Sequence, residues 1–307
     1  MELGDMLAQR LGVAITGLTQ LSGGASRETW RFTAEDDDLI VQRQRAGDVR
    51  DMLIEAGAVR AAAAAGVPVP ELLDSGRGDD GVAFMILRAV DGETIPRKIL
   101  RDDAYEAARH ALVAQLGRAA AAVHSIEPAA VPGLVAPDQI AEYTAVIDEL
   151  GEPHPVLELV RRWLLEHPRP VAEPVVVHGD FRLGNVIVGA DGLRAVIDWE
   201  LAHLGDPMED LGWLAVRAWR FGGDGEVAGL GSVDELAAAY EAAGGAAVDP
   251  AAVHWWQVLG TWKWAVMCIV QANVHLSGAV RSHELAAIGR RVCENEFDLL
   301  RLLERSP

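Results

Sequence analysis

At 307 residues, half of them hydrophobic and 24% charged, the chain is too long for one small core and too apolar to be disordered, and it suits two domains of ordinary size. Its 27 Lys and Arg against 46 Asp and Glu give a net charge of −19, which without a basic patch excludes nucleic acid as a partner. The acidity itself reads as solvated surface rather than as a lure for cationic substrates.

Residues 1–91 read as strands with one helix. β-branched or aromatic alternation marks strands at 13–19 and 29–33, another at 39–43 follows the turn Asp36-Asp37-Asp38, and 82–87 is a continuous apolar run. Between them 51–65 is Ala-rich and stops at Gly66, with Pro68 and Pro70 beyond, which is a helix with a clear end. From residue 92 to 307 helical patterns dominate, at 102–125, 138–150, 156–167, 233–243, 250–275 and 283–304. A β island interrupts them, with strands at 175–177, 185–188 and 194–198 and the turn Gly189-Ala190-Asp191-Gly192. Cys268 and Cys293 sit in helical stretches without metal-ligand spacing. The N-terminus has no basic region followed by an apolar run, and the apolar stretch 264–270 is far short of a span, so no membrane partner and a cytoplasmic location are expected.

The β island holds His178-Gly179-Asp180-Phe181-Arg182-Leu183-Gly184-Asn185, and Asp198 follows in Val196-Ile197-Asp198-Trp199. Phosphoryl transfer needs a carboxylate to take the proton of the attacking hydroxyl and oxygen ligands to hold Mg²⁺ against the phosphates. Each of these residues alone is an ordinary turn or strand-edge residue. Together, in this order, they could converge at one end of a hairpin and read as a site.

His-Gly-Asp, four residues, Asn, then a strand ending Ile-Asp-Trp resembles the catalytic motif and metal-binding Asp of the aminoglycoside phosphotransferase family. The run Glu200 to Leu211 is most similar to the branch that includes kinase domains fused to acyl-CoA dehydrogenases. The resemblance implies a protein-kinase-like α+β fold with an N-terminal nucleotide-binding sheet lobe, 1–91, and a mainly helical lobe, 92–307. It makes Asp180 the catalytic base and Asn185 and Asp198 the Mg²⁺ ligands, with ATP as phosphoryl donor.

The N-terminal part can be tested against that picture. The turn Ser22-Gly23-Gly24-Ala25-Ser26 has the small residues a phosphate-binding loop needs, though without the G-x-G-x-x-G spacing of protein kinases, and an ordinary hairpin loop is equally consistent with it. Protein kinases use a third-strand Lys on the phosphates, paired to a helix Glu. Here the only lysines are Lys98 and Lys263, both outside that strand, so Arg43, which shares a strand face with Leu39 and Val41, is expected to take the role, with Arg45 second and Glu55 as ion-pair partner. The segment 84–92 is similar to the family's interlobe hinge, where backbone at Leu87 and Ala89 would meet adenine.

His178 is expected to brace the loop by hydrogen bonding, His124 to be packed or capping, and Asp206 and Asp210 to be structural supports. Seven of the nine tryptophans fall between Trp199 and Trp264, which suits helix packing or an apolar wall beside the acceptor. Glu200, Glu209, Asp224 and Glu226 could instead meet an amine. The expected activity is ATP- and Mg²⁺-dependent phosphorylation of a hydroxyl on a small molecule, with a slight preference for a hydroxyacyl-type acceptor, by a monomer or homodimer. An aminoglycoside acceptor is the alternative within the family, and a nucleotide-binding pseudokinase the alternative from another class. Protein kinase activity fits less well, because helix signals resume by Asp206 and leave no long activation segment.

Overall fold

The computed structural model describes residues 3–21, 27–45, 50–171 and 173–305. The N-terminal part runs α1 (Leu3–Leu11), β1 (Ile15–Gln20), β2 (Arg27–Ala34), β3 (Asp37–Gln44), α2 (Met52–Ala64), β4 (Leu72–Arg77) and β5 (Ala83–Arg88). Its five strands form one antiparallel sheet in the order β1-β2-β3-β5-β4. Side chains alternate between the two faces of a strand, and here both faces are covered. Phe32, Leu39, Val41, Phe84 and Ile86 pack against Met6 and Leu7 of α1. Met85 and Leu87 point the other way, into the large core that includes Ala56, Val59 and Ala62 of α2. Helix α2 starts where the Asp51 carboxylate accepts the Leu53 N–H (3.0 Å), and its end turns at Gly66.

The sheet part therefore has two helices rather than one. It also has a strand, β4, that the expected pattern lacks, because Asp74, Ser75 and Gly76 give it the composition of a loop. At the sheet edge such residues are tolerated.

The helical part continues with α3 (Pro96–Arg101), α4 (Glu106–His124), α5 (Gln139–Leu150), α6 (Pro155–Glu166), β6 (Val175–Val177), β7 (Val186–Gly189), β8 (Gly192–Val196), β9 (His203–Gly205), α7 (Met208–Ala215), α8 (Val233–Ala242), α9 (Pro250–Leu276), α10 (His283–Gly289) and α11 (Arg291–Leu303). The β island is two separate ladders. β7 and β8 make the hairpin, whereas β6 pairs with β9. The last expected helix is divided into α10 and α11 at Arg290.

Helix α9 is the spine of this part, and its tryptophans dock it: Trp262 Nε1 donates to the Leu157 carbonyl (3.0 Å) and Trp255 Nε1 to the His167 carbonyl (2.8 Å). Helices α4 and α8 touch at Gly117, where a Cβ would lie 2.9 Å from the Ala239 Cβ and from the Leu236 carbonyl oxygen. Gly117→Ala is accordingly expected to lower stability by about 1–3 kcal/mol through overpacking. A urea midpoint shift at unchanged slope would show this, and an unchanged midpoint would mean that the two helices have room to move apart.

Candidate active site

Strand β6 delivers the loop His178-Gly179-Asp180. Gly179 has φ +76°, and a Cβ there would stand 2.3 Å from the Leu201 carbonyl oxygen, so the loop needs glycine on both counts. The loop hangs from α7. The fully buried Asp210 carboxylate accepts the backbone N–H of His178 (2.8 Å) and of Gly179 (3.0 Å) and meets His124 Nε2 (3.2 Å). Burial opposes that charge, but the bonds from His124 and the loop backbone hold the Asp210 carboxyl below its ordinary range. His178 lies 3.1 Å through Nε2 from the Ile197 carbonyl and accepts the Asp180 N–H on Nδ1 (3.3 Å), which makes it a brace.

Three side chains converge on the Asp180 carboxylate. Oδ1 accepts from Trp213 Nε1 (2.8 Å) and Arg182 Nε (2.9 Å), and Oδ2 accepts from Asn185 Nδ2 (2.6 Å). The first two partners are absent from the sequence-based expectation. Arg182 lies two residues away in extended backbone, and that spacing is a readable hint. Trp213 is 33 residues distant on α7 and leaves no local signal.

Asp198 follows β8 with left-handed backbone (φ 66°, ψ 63°), a conformation that Asp tolerates better than most residues. It keeps 39% of its side chain open to the cleft yet lies deep between the two parts. That depth, then Glu200, then Asp180, raise its carboxyl above the ordinary range, while Arg27 pulls it down. Arg27, at the start of β2, bonds Glu55 of α2 at 2.5 Å and Glu200 at 2.9 Å and stands 3.8 Å from Asp198. Burial works against the guanidinium charge, but Glu55, Glu200 and Asp198 outweigh it. Burial also pushes the Glu55 carboxyl up to about 7 against the pull of Arg27.

Arg27, not Arg43, is therefore the partner of Glu55, and strand parity is why Arg43 is not. Arg43 does share a face with Leu39 and Val41, but that face lies on α1, away from α2 and the cleft. There Arg43 pairs with Asp80 (2.5 Å) and approaches Glu28 (3.9 Å). The cleft side of the sheet carries Gln42, whose side-chain oxygen lies 3.4 Å from Arg27 Nη1. Arg43→Ala is therefore expected to leave nucleotide affinity within about twofold, a difference below ~0.5 kcal/mol, in a titration with ATP and Mg²⁺. A large loss would return the phosphate contact to Arg43.

The hinge expectation also changes. Ala89 spends its N–H on the Asp38 carbonyl (2.8 Å), and Leu87 is flanked by Ile40 on one side and Leu72 on the other, because β5 is an inner strand to its end. The Ala89 N–H is consequently taken within the sheet. Ser22, Gly23, Gly24, Ala25 and Ser26 lie outside the described residues.

Among the described residues no three His, Cys, Asp or Glu side chains are grouped to hold a metal unaided. A Mg²⁺ that carries phosphate and water ligands needs only one or two protein oxygens. The donor set fits that demand. Asn185 turns its amide N–H₂ to Asp180, leaving its oxygen as the atom to offer a cation, and Asp198 stands among carboxylates that Arg27 partly offsets.

Family comparison draws these observations together. A model described as the phosphotransferase enzyme family matches residues 17–256, which include every group named above. The chain belongs to that family. A candidate aminoglycoside phosphotransferase from Ralstonia eutropha shares the fold of this chain with a TM-score of 0.77 at 20% identity, covering 99% of this chain and 98% of that one. A spectinomycin phosphotransferase crystallised with ADP and spectinomycin aligns with a TM-score of 0.68 at 14% identity over 95% of this chain and 97% of its own. Among curated proteins, acyl-CoA dehydrogenase family member 10 of Mus musculus is 28% identical over 229 residues, or 66% of the phosphotransferase and 21% of that protein. Family member 11 of Pongo abelii is 30% identical over 156 residues, covering 47% and 20%. The phosphotransferase thus matches about a fifth of the length of these relatives, on the branch that the run after Asp198 implied. Among its described residues no helix is long and apolar enough to cross a membrane.

Proposed function

We propose that the phosphotransferase moves the γ-phosphoryl group of ATP onto a hydroxyl of a small molecule with a substantial apolar or acyl part. Nucleotide use is supported by fold neighbours crystallised with ADP or AMP-PNP. The observation that carries the reading is that Asp180 is anchored, through one residue, on a buried aromatic cluster. Trp213 donates to Asp180 and packs on Trp219 (5.2 Å between rings), which in turn packs on Trp264 (4.7 Å).

In this reading Arg182, Trp213 and Asn185 hold the Asp180 carboxylate as a fixed acceptor, and Asp180 takes the proton of the attacking hydroxyl. Arg182 is itself steadied by the Trp219 face, 4.8 Å from its guanidinium. Asp198 and Asn185 are the residues that would hold Mg²⁺, which when bound neutralises charge on the phosphates. Arg27 brings a buried guanidinium beside Asp198.

A polycationic acceptor is less well served. Of the four carboxylates that could draw an amine, Glu200 is occupied by Arg27 and Arg50, and Glu209 is buried on Gln139 (2.8 Å) and His203 (3.1 Å). ATP turnover on a panel of hydroxyacyl thioesters and aminoglycosides tests the proposal. Turnover on the thioesters is expected, and efficient phosphorylation of aminoglycosides alone would overturn it.

A further inference from the structure

The 3₁₀ turn Arg217–Arg220 does two things. It puts Trp219 into the buried aromatic cluster, and it lends Arg217 and Arg220 to a separate cavity of about 180 Å³ shared with α9 and the end of α11. Arg301 comes from α11 and Arg305 from just beyond its end, so four guanidiniums line one small space. Among the described residues a single carboxylate lines it with them, Asp298, which stands 3.4 Å from Arg217. Glu226 acts on Arg220 from outside the lining. In a chain of net charge −19, where Asp and Glu far outnumber Arg, this local excess of positive charge runs against composition and against mutual repulsion.

The hydrogen-bonding inventory points the same way. Arg220 Nε is buried without a hydrogen-bond partner among the described residues, and Arg220 Nη2 has one long bond, 3.4 Å, to the Ala215 carbonyl. A buried donor left in that state costs about 1–3 kcal/mol, so its retention calls for an acceptor. The neutral side-chain donors of the lining are already used: Gln257 Nε2 donates to the Ala215 carbonyl (2.8 Å) and the Thr261 hydroxyl to the Gln257 carbonyl (2.7 Å). With Asp298 paired to Arg217, the charge the cavity still offers is positive, carried on the N–H donors of Arg220, Arg301 and Arg305. That excludes a cation and gives nothing to an apolar group. The volume is below the roughly 300–1,000 Å³ of sites for drug-sized molecules, so the match is to a single compact group.

We propose that this cavity binds a phosphate group, gripped by Arg220 with Arg301 and Arg305, whose planar forks suit tetrahedral oxyanions. The group is either a free ion or the phosphate of a larger ligand. The site is separate from Asp180, so the proposal stands apart from the identity of the acceptor.

Calorimetric titration of the full chain with inorganic phosphate, pyrophosphate and an alkyl phosphate monoester tests it. Binding of at least one probe is expected, weakening as NaCl is raised, and it should fall at least tenfold in the double variant Arg301→Gln/Arg305→Gln. Both of those residues are exposed on or just beyond the last turn of α11, so the thermal midpoint should stay near wild type. Arg220→Gln should show the same loss, while Asp198→Ala, altered in the other site, should keep the binding. A monoester bound as tightly as phosphate places the group on a larger ligand, and binding of the inorganic ions alone marks a free ion. Absence of binding by all three probes, or affinity unchanged in the double variant, overturns the proposal.

Discussion

Replacing Asp180 with Asn is expected to lower kcat by about two orders of magnitude or more while ATP affinity changes little, as for loss of a general base. The geometry explains why this variant is informative. Oδ1 accepts two donors, Trp213 and Arg182, and Oδ2 accepts one, from Asn185. The amide introduced by Asp180→Asn has one oxygen and one N–H₂ group, so it satisfies Trp213 and Arg182 only with its N–H₂ facing Asn185. Asn185 keeps its N–H₂ on the residue-180 carbonyl and its oxygen free for a cation, so the variant gives up only the bond at Oδ2. Shape, packing and most hydrogen bonds survive, and the proton acceptor is lost. Steady-state kinetics with an acceptor that the wild type phosphorylates, ATP titration and a thermal melt of the same preparation separate the terms. A folded variant with near-normal kcat would remove Asp180 from the role of base.

Arg27→Met is expected to lower stability by about 3–5 kcal/mol, the usual effect of removing one partner of a buried ion pair. Arg27 and Glu55 are 7% and 5% exposed, so no solvent stands ready to replace the lost guanidinium. The loss should also depend on pH. The Glu55 carboxyl titrates at about 7 in the folded chain against an ordinary value of 4.5, so the folded state holds its proton more tightly than the unfolded one. Its contribution to stability therefore falls as pH rises from 4.5 through 7. Without Arg27 the folded value moves higher still, and the fall continues above 7 where that of the wild type has levelled. Urea midpoints at about pH 6 and pH 8 should show the gap between wild type and variant widening with pH. Equal midpoints at both would mean that the pair contributes nothing to the fold.

The parts of this molecule legible in the sequence are those set by local chemistry. Asp51 and Gly66 bound α2 because a carboxylate caps a helix start and a glycine turns out of its end. His178, Asp180, Asn185 and Asp198 can be read together because one loop and one hairpin carry them all. Arg43 shows where such reading stops. Its parity relative to Leu39 and Val41 is evident, but which face looks toward the cleft depends on α1, a short helix whose only buried residues are Met6 and Leu7. With one helix expected, the apolar face reads as the inward one; with helices on both sides, either face could be. Trp213 is illegible for a related reason. Its bond to Asp180 exists only after α7 has packed on α9, a relation between segments that no local pattern records.

Asp210 illustrates how loss-of-function data on this chain would need to be read. A screen that scored only activity would rank Asp210 beside Asp180, since without its carboxylate two loop N–H groups and His124 lose their common acceptor. The two aspartates would fail for opposite reasons, one because the loop no longer has a shape and the other because a well-shaped loop no longer has a base. Soluble yield or protease resistance, scored in parallel, would divide the sensitive positions into those that shape the loop and those that act from it.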